Sequence, residues 1–123
     1  MTGVQTCALP ICQLVALCRK GDFEKAQTDL FADDAVSIEP QATPAFEKEI
    51  KGLPAILEKG RKFNSMVEKM NGVTLSDAIV AGNSFAVTMH LDAVMKERGP
   101  IDMTELCVYK VKDGKIISEE FIM

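Results

Sequence analysis

The fold is decided by the C-terminal segment Ser84–Met123, with the sequence SFAVTMHLDAVMKERGPIDMTELCVYKVKDGKIISEEFIM. Apolar and polar residues alternate along 84–95 and again along 101–112, and this period of two predicts half-buried β-strands. Asp113-Gly114 predicts a tight hairpin turn between the last two strands. Four strands are therefore predicted, in the order of an antiparallel meander: Val73–Val80, Ser84–Met95, Ile101–Lys112 and Lys115–Met123.

Upstream of the meander, apolar residues recur at helical spacing in three segments. Gly60, inside the third of these helices, predicts close packing against another element. The segments are Cys12–Lys20, Asp22–Phe31 and a helix from Gly52-Leu53-Pro54 to Asn71-Gly72, with a short strand at Ala35–Glu39 between the second and third. The sequence therefore predicts an α+β fold in the order helix, helix, strand, helix and four-stranded meander.

Composition excludes several classes of partner. The net charge is −4 and the pI is near 5.0, so the chain has no dense basic face for nucleic acid. The basic cluster Lys59, Arg61 and Lys62 is expected to lie on a solvated helix face. No apolar run is long enough to span a bilayer, so no membrane partner is expected.

The four cysteines and single histidine indicate neither a metal site nor a cofactor. No C-x-x-C pair is present, and His90 stands alone, so zinc-ligand spacing is missing. A reduced, cytoplasmic protein is the simpler interpretation.

The first eleven residues, MTGVQTCALPI, are predicted to be foreign to the domain. They resemble one reading frame of a common sequencing-adapter oligonucleotide, and such segments are excluded from fold reasoning. We therefore divide the chain into a non-native segment, 1–11, and a single domain, 12–123. Cys18 and Cys107 then remain as the native thiols, and residues 1–10 are expected to contribute little to stability.

Several short motifs, in their order and spacing, resemble one known family. They are Gly21-Asp22-Phe23, Leu30-Phe31-Ala32-Asp33-Asp34-Ala35, Ile38-Glu39-Pro40 and Val111-Lys112-Asp113-Gly114-Lys115-Ile116. Over nearly all of 13–123 the chain resembles the SnoaL-like branch of the nuclear-transport-factor-2-like superfamily. That resemblance implies a cone in which a curved sheet wraps around three helices, often dimeric through the outer sheet face. The superfamily includes ketosteroid isomerases, epoxide hydrolases, polyketide cyclases and binding-only domains, so the fold alone does not choose the function.

The resemblance implies one candidate general base, Glu39, but two hydrogen-bond donors of the isomerase branch have no counterpart in this sequence. In the isomerase branch a carboxylate before a proline ends the first strand and acts as general base, and Glu39 matches it. A carboxylate facing an apolar pocket could have its pKa raised to a useful value. The positions of that branch's oxyanion donors fall on Leu14, which cannot donate, and on or near Cys107, a poor donor. Steroid isomerase activity is therefore not expected.

The strands supply further candidate site residues. If Tyr109 faces the pocket, the period of two places Cys107 and Glu105 on the same side. Glu105 and Tyr109 are then candidates, beside Glu39, to orient a ligand or to donate a proton to it. Alternatively, Glu105 lies at the open rim of the pocket and Tyr109 lies in the core. Both arrangements stay open, because an error of one residue in the register exchanges the two faces of the strand. The predicted ligand-binding wall consists of Leu14, Phe63, Val87, Met89, Cys107, Glu119 and Phe121.

Two functions remain open from the sequence. One is a small-molecule-binding domain, with a hydrophobic or partly polar ligand, that acts as a cofactor-free isomerase, lyase or hydrolase by general acid–base catalysis. The other is a non-catalytic ligand-binding or dimerisation module. The outer face, formed by Ala86, Thr88, His90, Asp92, Leu106 and Val108, is expected to make a homodimer, because a half-apolar sheet face needs a cover.

Overall fold

The computed structural model describes residues 11–123. Within these residues, three helices and seven strands follow one another. They are α1 (Ile11–Arg19), α2 (Phe23–Leu30), β1 (Phe31–Ile38), β2 (Glu49–Lys51), α3 (Leu53–Met66), β3 (Val67–Leu75), β4 (Ile79–Ala81), β5 (Ser84–Met95), β6 (Gly99–Lys112) and β7 (Lys115–Ile122). Residues 1–10 of the expected non-native segment lie outside the described residues, and α1 begins at the segment's last residue.

All seven strands belong to one curved sheet, as the α+β prediction requires. Its order is β2-β1-β7-β6-β5-β3, with β4 paired to β5. Among the strand pairings of residues 11–123, the β1–β7 pairing is parallel and the others are antiparallel. Register shifts within three of the pairings increase bending and twist, and the edge strands β2 and β3 do not pair with each other, so the sheet curves without closing.

The predicted hairpin between β6 and β7 is confirmed. Asp113 and Gly114 both have positive φ, 53° and 79°, as a two-residue turn that matches strand twist requires. Lys112 then pairs with Lys115 directly across the turn. This short turn fixes which side chains of β6 and β7 share a face.

The end of the third helix was predicted wrongly. We expected it to reach Asn71-Gly72, but α3 stops at Met66 and the chain continues as β3, which pairs with β5 from Val67 to Leu75. Val67 and Met70 fit the helical spacing, yet backbone pairing with a long strand outweighs that local pattern. The expected strand 73–80 is consequently divided between the end of β3 and the short β4.

Gly60 does not have the close contact that we expected. A Cβ atom added there would lie 3.8 Å from Gln27 Oε1 of α2, an ordinary van der Waals distance. Sterics therefore do not require glycine at this position.

The core lies between the helices and the concave face of the sheet. Leu14 of α1 and Ile56 of α3 are almost fully buried, and they belong to the same cluster as Phe85 and Ile116 of the sheet. Burying such side chains contributes about 1.5–3 kcal/mol each. Beyond this packed region the helices and the sheet diverge and leave a cavity.

Candidate acid–base site

The cavity occupies about 1070 Å³ between the three helices, the segment after β1 and the concave sheet face. Its size reaches the upper end of the range for small-molecule pockets, about 300–1,000 Å³. Nine of the ten candidate site residues line it: Leu14, Glu39, Phe63, Met89, Glu105, Cys107, Tyr109, Glu119 and Phe121. Val87 is 1% exposed and belongs to the packed core instead.

The sheet register explains why the polar candidates share the concave face. Met89 of β5 lies opposite Glu105 of β6, and Phe85 lies opposite Tyr109. On the other side of β6, Glu119 of β7 lies opposite Tyr109. Directly opposed residues point to the same side of an antiparallel pair, so alternation along β6 places these side chains around one hollow.

Tyr109 is buried, and its ring stacks on Phe85 with a centroid separation of 5.0 Å. Burial, and then the nearby Glu119 carboxyl, raise the pKa of Tyr109 well above its usual range. The neighbouring Cys107 side chain adds to this rise in the pKa. Tyr109 therefore stays neutral and can donate its hydroxyl proton in a hydrogen bond to a ligand.

Four polar side chains form a continuous chain of contacts along one wall. Lys59 Nζ lies 2.6 Å from Glu39 Oε2 and 2.7 Å from Ser37 Oγ. Ser37 in turn donates to Glu119 Oε2 at 2.7 Å. Because Ser37 is fully buried and Glu119 is 3% exposed, this chain links a deep carboxyl to the more accessible Glu39.

Glu105 stands apart from this chain of contacts. Its carboxyl lines the cavity and is 9% exposed, but no donor among residues 11–123 hydrogen-bonds it. Burial is the main cause that raises the pKa of Glu105 to about 7, and the charges of Glu39 and Glu119 add to it while Lys59 opposes them. Near neutrality this carboxyl can therefore both give and accept a proton.

Glu119 has a different environment. Burial raises its pKa, whereas the hydrogen bond from Ser37 and the charge of Lys59 act in the opposite direction. The two deep carboxyls thus differ in their partners, and unlike environments are what allow neighbouring carboxyls to take different protonation states.

Sequence analysis missed Ser37 and Lys59. The expected solvated face is wrong for Lys59, whose side chain is 14% exposed and lines the cavity. One available signal was its spacing, since Lys59 follows the buried Ile56 by three residues and precedes Phe63 by four. Ser37 alternates with the buried Ala35, which places it on the concave side of β1.

Arg61 and Lys62, the other members of that basic cluster, do lie towards the surface. Arg61 forms an exposed ion pair with Glu24 at 3.2 Å. Lys62 donates to the Ala45 carbonyl and lies 5.3 Å from the centre of the Phe46 ring. Both attach α3 to neighbouring segments rather than charging the cavity.

Cys18 and Cys107 are both buried and free. Burial raises the pKa of Cys18 to about 12, and it raises the pKa of Cys107 further above the ordinary thiol range. A thiol that stays protonated is a poor nucleophile, so both act as small apolar wall residues.

Within residues 11–123, no cluster of three or more His, Cys, Asp or Glu side chains could hold a metal ion. In the same part of the chain, no helix has the length and apolar character needed to cross a membrane.

Solved structures share this architecture. A protein of Mesorhizobium loti, described provisionally as a SnoaL-like polyketide cyclase, is 28% identical with a TM-score of 0.85, covering 92% of this chain and 95% of its own. A Catenulispora acidiphila protein with a ketosteroid isomerase-like fold, in complex with trimethylamine, is 19% identical with a TM-score of 0.73, covering 94% and 86%. TerC, co-crystallised with polyporic acid, is 17% identical with a TM-score of 0.74, covering 92% and 87%.

Sequence comparison gives the family directly. None of the curated proteins compared with the chain matches it. The sequence profile of the SnoaL-like domain, however, matches residues 10–123, which is nearly the whole length. The chain therefore belongs to the SnoaL-like domain family.

Proposed function

We propose that the protein binds a small, mostly apolar molecule in its cavity and transforms it by general acid–base catalysis without a cofactor. An isomerisation, elimination or hydrolysis would suit this chemistry. The observation that carries the proposal is Glu105, a buried carboxyl that faces the cavity and has no hydrogen-bond or ion-pair partner among residues 11–123. Its pKa of about 7 suits proton exchange at neutral pH.

Three side chains would divide the work. Glu39, held by Lys59 at the cavity wall, would take a proton from the ligand. Glu105 in its protonated form would donate to a developing negative charge on oxygen. Tyr109 would orient the ligand deeper in the cavity. Leu14 and Cys107 match the positions of the oxyanion donors in steroid isomerases. Because neither is a good hydrogen-bond donor, the substrate would belong to a different class from steroids.

The structural neighbours support a ligand of moderate size. One is co-crystallised with polyporic acid, and another is provisionally a polyketide cyclase. A cavity of about 1070 Å³ could hold molecules of several rings.

A screen of small aromatic, terpenoid and polyketide-like compounds tests this proposal. Thermal shift would find ligands, and mass spectrometry would detect turnover of each ligand by the wild type. We expect Glu105→Gln to bind a hit but convert it at least about 100-fold more slowly, as loss of an acid–base group does. Equal turnover by wild type and Glu105→Gln would refute the catalytic role.

A non-catalytic binding module is the second candidate. It is favoured by the chain from Glu39 through Lys59 and Ser37 to Glu119, in which each side chain already has a partner in the protein. Under this alternative the screen would find ligands that remain chemically unchanged after long incubation.

We also propose that the protein is a homodimer through its outer sheet face. The pairings Ala86 with Val108 and Thr88 with Leu106 put these side chains together on the face opposite the cavity. Leu106 and Ile122, paired on that face, are 37% and 45% exposed. His90 lies on the same face and contacts Asp102 at 2.6 Å. Light scattering at micromolar concentration tests the proposal, and a monomer mass would refute it.

The composition and the two buried free thiols, Cys18 and Cys107, support a cytoplasmic location as a further proposal. Fractionation of expressing cells tests it.

A further inference from the structure

The charges around the cavity are unbalanced at its centre. Five carboxyls line the cavity, those of Glu24, Glu39, Asp102, Glu105 and Glu119, against two cations, Lys59 and Arg98. Arg98 is exposed, whereas the charge of Lys59 acts on Glu105. Both hydrogen bonds of the Lys59 ammonium nevertheless lead to other groups, since it bonds Glu39 directly and reaches Glu119 through Ser37. Glu105 has no such partner among the described residues.

We propose that the cavity binds a ligand whose apolar body carries a protonated amine, and that the ammonium group pairs with Glu105. This inference rests on the ligand-binding part of the proposed function and specifies the charge of the ligand; with an amine bound, Glu105 is ionised and holds the ammonium group instead of acting as the proton donor. A carboxylate at 9% exposure, with no donor among residues 11–123, is costly to ionise alone, and a cation brought by the ligand removes that cost. An anionic ligand would instead meet a cavity lined by more carboxyls than cations.

The walls beside Glu105 suit an alkylammonium group. Met89 lies directly opposite Glu105 in the sheet, and Phe121 lies opposite Cys107, two residues further along β6. The Phe121 ring already makes a cation–π contact, with Lys59 Nζ 5.2 Å from the ring centre. Aromatic faces and polarisable thioethers stabilise organic cations without full hydration.

Proton linkage gives the proposal a specific signature. A cation beside Glu105 favours its charged form, so binding below pH 7 must expel a proton. The affinity should therefore rise with pH, by up to about tenfold per unit below pH 7, and level off above it. The other titratable or charged groups that line this cavity are Glu39 after β1, Lys59 of α3, Glu119 of β7, Cys107, Tyr109 and Asp102 of β6, Arg98 before β6, Glu24 of α2 and Cys18 of α1.

Three probes of one shape test the charge preference: 1-naphthylmethylammonium, 1-naphthalenemethanol and 1-naphthoate. Isothermal titration calorimetry from pH 5 to 8, in buffers of different ionisation enthalpy, measures affinity and proton release. We expect the amine to bind most tightly, the naphthoate most weakly, and nearly one proton to be released with the amine at pH 6. At pH 8, Glu105→Gln should weaken amine binding about 10- to 100-fold, as loss of a charged hydrogen bond does.

Glu49→Gln is the matched control, because Glu49 is exposed on the edge strand β2, outside the cavity lining and away from the proposed dimer face. It should bind all three probes like the wild type. In Glu105→Gln, unchanged binding of the alcohol shows that the cavity is intact. Alcohol binding with no preference for the amine, no pH dependence and no effect of Glu105→Gln would overturn the inference and leave the proposed function standing. Failure of all three probes to bind would remove both.

Discussion

Replacing Glu105 by glutamine should stabilise the protein at pH 8 and leave its stability almost unchanged at pH 4.5. Glutamine keeps the size of the side chain and removes its charge. In the folded protein, burial raises the pKa of Glu105 from its ordinary 4.5 to about 7. Between pH 4.5 and about pH 7, the folded state binds the Glu105 proton more tightly than the unfolded chain does. The free energy of unfolding of the wild type therefore falls as the pH rises through that range.

The magnitude follows from the size of the shift. A difference of 7 − 4.5, or 2.5 pKa units, at about 1.4 kcal/mol per unit gives a ceiling of about 3–4 kcal/mol. The cavity side of the carboxyl is open to water, which reduces the cost of ionisation, so we expect a gain of about 1–3 kcal/mol at pH 8. At pH 4.5 the folded wild type is already neutral at this position, and the difference should fall below about 0.5 kcal/mol.

Urea unfolding of wild type and Glu105→Gln from pH 4.5 to 8.5 measures this difference directly. Glu119, whose pKa is also raised, leaves both proteins with pH dependence, so the quantity of interest is the difference between them. Glu49→Gln, at an exposed site on the edge strand β2, should change stability by less than about 0.5 kcal/mol at every pH. If Glu105→Gln raised the free energy of unfolding no more at pH 8 than at pH 4.5, the conclusion that the Glu105 carboxyl is buried without a partner among residues 11–123 would be wrong.

Four further predictions follow from individual contacts. Lys59→Met should lower the free energy of unfolding by about 1–3 kcal/mol at pH 8, because it leaves buried carboxyls without their cation, and Lys59→Arg should lose less; equal losses would contradict this. Gly60→Ala should raise that free energy by about 0.5–1 kcal/mol, since the added methyl group meets only ordinary contacts, and a loss in urea unfolding would show hidden crowding. Cys18 and Cys107 should resist iodoacetamide at pH 8 in the native protein and react in urea, as measured by peptide mass spectrometry; rapid native labelling would contradict their burial. Leu106→Lys should shift the proposed dimer to monomer in light scattering, and an unchanged mass would place the interface elsewhere.

The alternation of strand residues made much of the candidate site predictable. On β6 the period of two correctly grouped Glu105, Cys107 and Tyr109, because a long strand beside a tight turn leaves little freedom in register. The same argument placed Glu119 and Phe121 on the cavity side of β7. In such strands, local pattern and tertiary pairing agree.

The misses occurred where tertiary contacts decide the outcome. Residues 67–70 continue the apolar spacing of α3, and only pairing with β5 makes them a strand. Lys59 looks like a surface residue in sequence, because nothing local shows that Glu39 and Ser37 lie across from it. The ion pair of Glu39 and the lack of a partner for Glu105 likewise depend on elements distant in sequence.

Protonation of Glu105 near neutral pH underlies both the acid–base proposal and the amine site. A ¹³C NMR titration of the glutamate side-chain carboxyls from pH 3 to 9 measures it, with the Glu105 resonance assigned by its absence from Glu105→Gln. We predict a midpoint near pH 7 for that resonance. A midpoint near the ordinary value of 4.5 would show that the carboxyl is hydrated or paired, and it would contradict both the acid–base proposal and the amine site.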